Sequence, residues 1–93
     1  MNVGVLRIDI RLFNVSSLKE KRSIIKRILN FIRKKYNVSA SEVGKMDSTM
    51  FTEIAVAMVS NDKNIIHNTF ESIVDYIEIN EGIEVEGMEK EIW

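Results

Sequence analysis

The chain has 93 residues, of which 45% are hydrophobic and 29% are charged, and its net charge is −1. These values fit one ordinary globular domain over residues 1–93. The absence of cysteine excludes disulfides and thiolate metal sites, and the single His67 is too little for a catalytic zinc site. No apolar run approaches the roughly 20 residues that span a bilayer. We therefore expect a cytoplasmic protein without membrane contact, cofactor or metal.

Charge is distributed unevenly along the chain. Residues 1–45 carry eleven Lys and Arg against three acids, whereas residues 46–93 carry two Lys against eleven acids. This uneven distribution indicates either two oppositely charged surfaces that bind partners or ion pairs between the two halves of the chain. The sequence leaves both alternatives open.

The N-terminal third of the chain predicts a strand followed by a helix. Residues 6–12 alternate apolar and polar side chains, which is typical of a half-buried strand. Ser17 and Glu20 form the pattern of a capping box, in which each side chain binds a backbone N–H of the other end. Helical periodicity then extends over residues 18–36, and Asn37 is a candidate for a left-handed helix stop.

The rest of the chain predicts three strands and a second helix. The short, β-branched residues 38–43 indicate an edge strand, and residues 44–50 a hairpin connection. Residues 52–60 are apolar on both faces in their later half, which favours a central strand. The second helix ends near Asn80, and residues 83–93 supply the last strand. The candidate N-caps of that helix are Ser60, Asn61 and Asp62.

The order of elements, β-α-β-β-α-β, predicts an α+β fold of the ferredoxin-like type. In this fold a four-stranded antiparallel sheet of order 4-1-3-2 carries both helices on one face. The side chains expected beneath the helices are those of Leu6, Ile8, Ile10, Ile54, Val56 and Met58.

Basic residues are concentrated in the first predicted helix. The six that share one arc opposite its apolar stripe are Lys19, Arg22, Lys26, Arg27, Arg33 and Lys34. At 1.5 Å of rise per residue they extend along about 25 Å, enough to meet several phosphates of a nucleic acid. The alternative is a solvated face, partly balanced by the acidic second helix. Lys21 differs because it falls inside the apolar arc, so it must reach past the sheet or pair with an acid.

The sheet face that the helices leave open is a second candidate surface. Its outward positions are expected to include Val5, Arg7, Arg11, Ala55, Ala57 and Val59. Aromatic residues are missing from the central outward positions, which argues against RNA bases stacking on the strands. Small apolar residues at these positions favour a homodimer that forms through this face.

Four short runs of the sequence resemble the YlxP-like family of bacterial proteins. They are Ser-Leu-Lys-Glu-Lys-Arg at 17–22, Arg-Lys-Lys-Tyr-Asn-Val-Ser at 33–39, Glu-Val at 42–43 and Val-Ser-Asn-Asp at 59–62. The resemblance implies a ferredoxin-like fold without an established activity. Genes of this family commonly lie beside those for translation initiation and ribosome maturation, which implies an RNA-related role. The chain departs from the family pattern over residues 44–51.

These observations lead to two functional hypotheses. The first is a binding module without enzymatic activity that contacts RNA or the ribosome through the basic first helix. The second is a structural or regulatory homodimer that assembles through its open sheet face. Catalysis is not expected: acylphosphatases share this fold but need a Gly-rich loop with an Arg, and this chain has Phe-Asn-Val-Ser at 13–16.

Overall fold

The computed structural model describes residues 1–93 and has the predicted order of four strands and two helices. The elements are β1 (Asn2–Leu12), α1 (Leu18–Lys35), β2 (Ser39–Gly44), β3 (Phe51–Ser60), α2 (Lys63–Glu78) and β4 (Ile83–Ile92). The strands form one antiparallel sheet of order β2-β3-β1-β4, which is the predicted 4-1-3-2 order read from the other edge. The ferredoxin-like α+β prediction is confirmed.

One hydrophobic core lies between the sheet and the two helices. It joins seventeen buried residues from five elements: β1, β2 and β3 on the sheet side, and both helices. The alternation predicted for β1 places Leu6, Ile8 and Ile10 in this core, with exposures of 1%, 0% and 1%. Helix α1 lies nearest to β2, whereas α2 packs on β4, β3 and β1. The opposite face of the sheet is left uncovered.

The start of α1 follows the capping prediction with one difference. The Ser17 hydroxyl accepts the backbone N–H of Glu20 at 3.1 Å, as predicted. The Glu20 carboxylate, however, accepts from Ser16 rather than from Ser17, with 3.3 Å to the Ser16 backbone N and 2.7 Å to its Oγ. The Glu20 side chain, in the first turn of α1, therefore holds Ser16, the residue that precedes the N-cap.

The end of α1 does not follow the prediction. The structure places no left-handed residue at Asn37, because the residues with positive φ are Asn14, Lys45 and Gly82. Instead, Tyr36 ends the helix in an extended conformation with φ −121°. An extended cap suits this position, since β2 begins only a few residues later and the chain must already run as a strand.

Strand β4 contains an irregularity that its acid-rich sequence does not reveal. Its register against β1 shifts between Asp9 and Ile10, which pair with Gly87 and Val85 respectively. Glu86 is the extra residue of this bulge. The alternation of side chains between the two faces of the sheet is interrupted there. Glu84 and Glu89 consequently share the uncovered face although they are an odd number of residues apart.

Helix α2 lies very close to the sheet at Gly4. A Cβ atom at this position would collide with Ile66 Cγ2 and would lie 3.0 Å from the ring of Phe70. Both of these side chains are buried, with exposures of 0% and 1%. The missing side chain of Gly4 thus allows the start of α2 to lie directly on β1.

Candidate nucleic-acid interface

The six predicted cations of α1, here called the basic stripe, all lie on the solvent side of the helix. They are Lys19, Arg22, Lys26, Arg27, Arg33 and Lys34, and each is exposed. The local sequence explains this orientation. Buried aliphatic side chains recur at Ile25, Ile28 and Ile32 and fix the inner face of the helix. The cations between them must then point outwards.

No member of the basic stripe forms an ion pair. The structure contains three ion pairs, and they join Arg7 to Glu53, Arg7 to Glu89 and Lys21 to Glu42. Glu71 and Glu78 of α2 line a groove against β4, and Asp75 also borders a depression that it shares with Lys35. No acid of α2 forms an ion pair with a cation of the basic stripe.

Arg33 has an additional structural contact. Its Nε donates to the backbone carbonyl of Ala40 at 3.0 Å, and its Nη2 donates to the same oxygen. This bond ties the last turn of α1 to strand β2, an edge strand. Arg33 remains exposed and charged, but part of its donor capacity is used inside the protein.

The middle of the stripe borders a shallow depression on the helix surface. It is lined by Ser23, Lys26, Arg27, Asn30, Phe31 and Lys34. Three cations, two neutral polar groups and one aromatic ring thus surround a single concave patch. Ammonium and guanidinium groups in this arrangement can bind phosphate oxygens, and the polar side chains can donate further hydrogen bonds.

Lys21 is the exception among the basic residues of α1, as its position in the apolar arc predicts. It is 1% exposed. Its Nζ donates to the Lys45 carbonyl oxygen at 2.7 Å and lies 3.2 Å from Glu42 Oε2. The same carboxylate oxygen accepts from Thr52 Oγ1 at 2.6 Å. Lys21 therefore holds the β2–β3 connection against the first turns of α1 and does not belong to the outer basic surface.

The open sheet face divides into an apolar end and a polar end. Cross-strand neighbours place Val59 beside Val3 and Ala57 beside Val5, and the backbone of Val3 exchanges hydrogen bonds with Trp93. We call these five residues the apolar end. Val59 and Trp93 are 57% and 62% exposed. The predicted interface residues Val5, Ala57 and Val59 are thus brought together, and Ala55 adjoins them.

The other two predicted interface residues, Arg7 and Arg11, lie towards the polar end. An Arg7 Nη atom is 2.8 Å from Glu53 and another is 3.8 Å from Glu89. The hydrogen bond and charge of Glu53, followed by the charge of Glu89, raise the pKa of Arg7 above its ordinary value. Arg11 instead places its guanidinium 4.8 Å from the ring centre of Phe13. Arg7 is therefore paired within the chain, whereas Arg11 contacts an aromatic ring and its buried Nε has no hydrogen-bond partner.

An aromatic cluster at the end of the stripe was missed by the sequence reasoning. The rings of Phe31 and Tyr76 stack with centroids 3.9 Å apart and an angle of 15° between planes. Lys35 Nζ lies 5.5 Å from the ring centre of Phe31 and 5.7 Å from that of Tyr36. The helical periodicity assigns Phe31 to the apolar stripe, but its place at the edge of that stripe leaves it 36% exposed.

No group of three or more histidine, aspartate or glutamate side chains lies close enough together to hold a metal ion. Neither helix has the length and apolar character needed to cross a membrane.

Comparison with solved structures agrees with the fold. The designed protein Foldit4 superimposes with a TM-score of 0.57 at 19% identity and covers 100% of this chain and 97% of its own. SnoaB, a cofactor-independent oxygenase from Streptomyces nogalater, gives a TM-score of 0.51 at 9% identity, with 99% of this chain and 90% of its own covered. Identities this low show a shared fold alone.

Comparison of sequences identifies the family. The uncharacterized protein YlxP of Bacillus subtilis (strain 168) is 32% identical over 76 residues, which cover 82% of this chain and 83% of YlxP. Residues 3–90 match the family described as Protein of unknown function (DUF503). The match covers nearly the whole sheet and both helices, so the chain belongs to the DUF503 family and is similar to YlxP.

Proposed function

We propose that this protein is a cytoplasmic RNA-binding module without enzymatic activity and that the basic stripe of α1 is its binding surface. The observation that carries the proposal is the state of the stripe: six exposed cations on one helix face, none of them in an ion pair. Unpaired cations at this density repel one another along the helix. A polyanion would relieve this repulsion and release its own bound counterions.

The shape of the stripe suits a phosphate backbone. Helix α1 contains 18 residues, which correspond to about 27 Å at 1.5 Å per residue. Phosphate contacts of this kind hold a strand in place without reading its sequence. The resemblance to YlxP-like proteins favours RNA of the translation apparatus as the target, including RNA exposed on a ribosomal subunit.

The experiment compares two double variants with equal change of net charge. Lys26→Glu/Lys34→Glu reverses two cations of the stripe, whereas Lys63→Glu/Lys90→Glu reverses two exposed cations outside α1. Binding to a fluorescent single-stranded RNA dodecamer is measured by anisotropy over a range of salt concentrations. We expect the first variant to bind the RNA at least tenfold more weakly. Its plot of log affinity against log salt concentration should be shallower by about 1.4 units, because each phosphate contact on a single strand contributes about 0.7 to the slope.

The control variant should retain the affinity and salt slope of the unchanged protein within about twofold, a difference of about 0.4 kcal/mol. Equal weakening in both variants would mean that net charge alone is responsible, and the stripe would not be the binding surface. Unchanged binding in the stripe variant would equally refute the proposal.

A second function is favoured by the apolar end of the open sheet face. Val59 and Trp93 expose 57% and 62% of their surface on a face that neither helix covers. Contiguous exposed apolar side chains of this kind mark association surfaces in soluble proteins. We propose a homodimer through this face as the alternative, and it is compatible with RNA binding because α1 lies on the opposite side of the sheet.

A further inference from the structure

We infer that the ends of the two helices form a pocket for one unpaired RNA base, next to the phosphate-binding basic stripe. This inference rests on the proposed function and makes it more specific, since it assigns single-stranded RNA as the ligand. The pocket is lined by Phe31, Lys35, Tyr36, Ser72, Asp75, Tyr76 and Ile79, and we call it the aromatic pocket.

The aromatic pocket is an open depression, about as shallow as the one on the basic stripe. Its volume of about 520 Å³ leaves room for one base against the rings. Three aromatic rings contribute to its wall, and Ile79 beside them is 79% exposed. The polar atoms of Ser72 and Asp75 lie on the α2 side, where they could accept or donate hydrogen bonds to a base edge.

The rings are arranged as a platform for stacking. Tyr76 supports Phe31 from one side at a centroid distance of 3.9 Å, so the orientation of the Phe31 ring is fixed before a ligand arrives. A ring fixed in this way loses little conformational entropy on binding. The ammonium of Lys35 lies over the Phe31 ring, 5.5 Å from its centre and 5.7 Å from that of Tyr36. A base that stacks on Phe31 would displace this flexible side chain, whose charge could then bind the phosphate of the same nucleotide.

Phe31 connects the pocket to the basic stripe. Its side chain also lines the depression formed with Lys26, Arg27 and Lys34. A strand whose phosphates follow these cations would therefore pass Phe31, and the adjoining nucleotide could turn its base into the pocket. Bases of a duplex are stacked on each other and cannot turn in this way, whereas bases of single-stranded RNA are free to stack on aromatic side chains.

The test compares a single-stranded oligoadenylate RNA dodecamer with a duplex of twelve RNA base pairs, both measured by fluorescence anisotropy. We expect Phe31→Leu to weaken binding of the single strand by at least about fivefold, the lower limit for loss of one stacked base. Binding of the duplex, which uses phosphate contacts alone, should change less than about twofold. Phe31→Tyr keeps the ring and should restore the affinity for the single strand.

A further variant separates stacking from loss of structure. Ile65→Ala changes an exposed aliphatic side chain of α2 outside the pocket and should leave both affinities unchanged, and thermal unfolding should show that every variant is folded. Equal weakening of single strand and duplex by Phe31→Leu, or no weakening at all, would overturn the base pocket while RNA binding stands. Failure of the unchanged protein to bind either RNA would overturn the proposed function, and the pocket with it.

Discussion

Lys21 has a structural role that its neighbours in α1 do not share. Its ammonium is removed from solvent and interacts with the Glu42 carboxylate and the Lys45 carbonyl, at 3.2 Å and 2.7 Å. A buried ion pair seldom adds much to stability in comparison with apolar residues, but removal of one partner leaves an unpaired buried charge. The pair therefore fixes the position of the β2–β3 connection more than it strengthens the fold.

We expect Lys21→Met to lower the free energy of unfolding by about 3 kcal/mol, because the Glu42 carboxylate would lose its cation. The value lies at the lower end of the range for buried pairs, since the Glu42 side chain keeps 13% exposure. The change in the free energy of unfolding is measured by urea denaturation monitored by circular dichroism. Adding Glu42→Gln to Lys21→Met should recover part of the loss. A loss below about 1 kcal/mol, the value of an exposed pair, would contradict the structural role.

The elements α2 and β1 depend on each other through Gly4. Ile66 and Phe70 occupy the space that a side chain at this position would need, and both are fully buried. Packed interiors accommodate an added methyl group only by moving side chains out of their preferred conformations. Helix α2 would have to move away from the sheet, and the groove between α2 and β4 would widen.

We expect Gly4→Ala to lower the free energy of unfolding by about 1–3 kcal/mol, the usual cost of overpacking. Gly87→Ala is the matched control, because a Cβ there would meet Asp9 Oδ2 at 3.8 Å, an ordinary contact. Chemical denaturation of both variants provides the comparison. If the two substitutions have the same effect, the close approach of α2 to β1 is not the cause.

On the scale of the whole molecule, the two proposed surfaces lie on opposite sides of the sheet. The basic stripe faces solvent beyond the helices, and the apolar end lies on the uncovered face of the strands. A dimer through the open face would place two basic stripes on its two outer sides. Two strands of RNA, or two segments of one strand, could then bind at once, which would raise the apparent affinity.

We expect the mass measured by sedimentation equilibrium to rise with concentration from 10.8 kDa towards twice that value. Ala57→Glu should hold the protein at the monomer mass, because it would place a charge at the centre of the apolar end. Asn68→Glu on the exposed side of α2 is the control and should leave association unchanged. A mass of 10.8 kDa at all concentrations of the unchanged protein would exclude the dimer.

The sequence alone determined the fold and the main candidate surface. Alternation in residues 6–12 and helical periodicity from residue 18 onwards each depend on neighbours within a few positions, so they can be read without coordinates. The order of the elements then restricts the topology to the observed sheet. The same periodicity placed the six cations on one side of α1 and Lys21 on the other, and the structure confirms both placements.

Only the tertiary structure decided which of these groups have partners. The contact of Arg33 with Ala40 joins α1 to β2, and the pairing of Lys21 with Glu42 joins the first turn of the same helix to the other end of that strand. The stacking of Phe31 on Tyr76 likewise unites two helices, and the β4 bulge arises from its register with β1. Local patterns fix which face a side chain occupies, whereas its partner depends on distances that only packing sets.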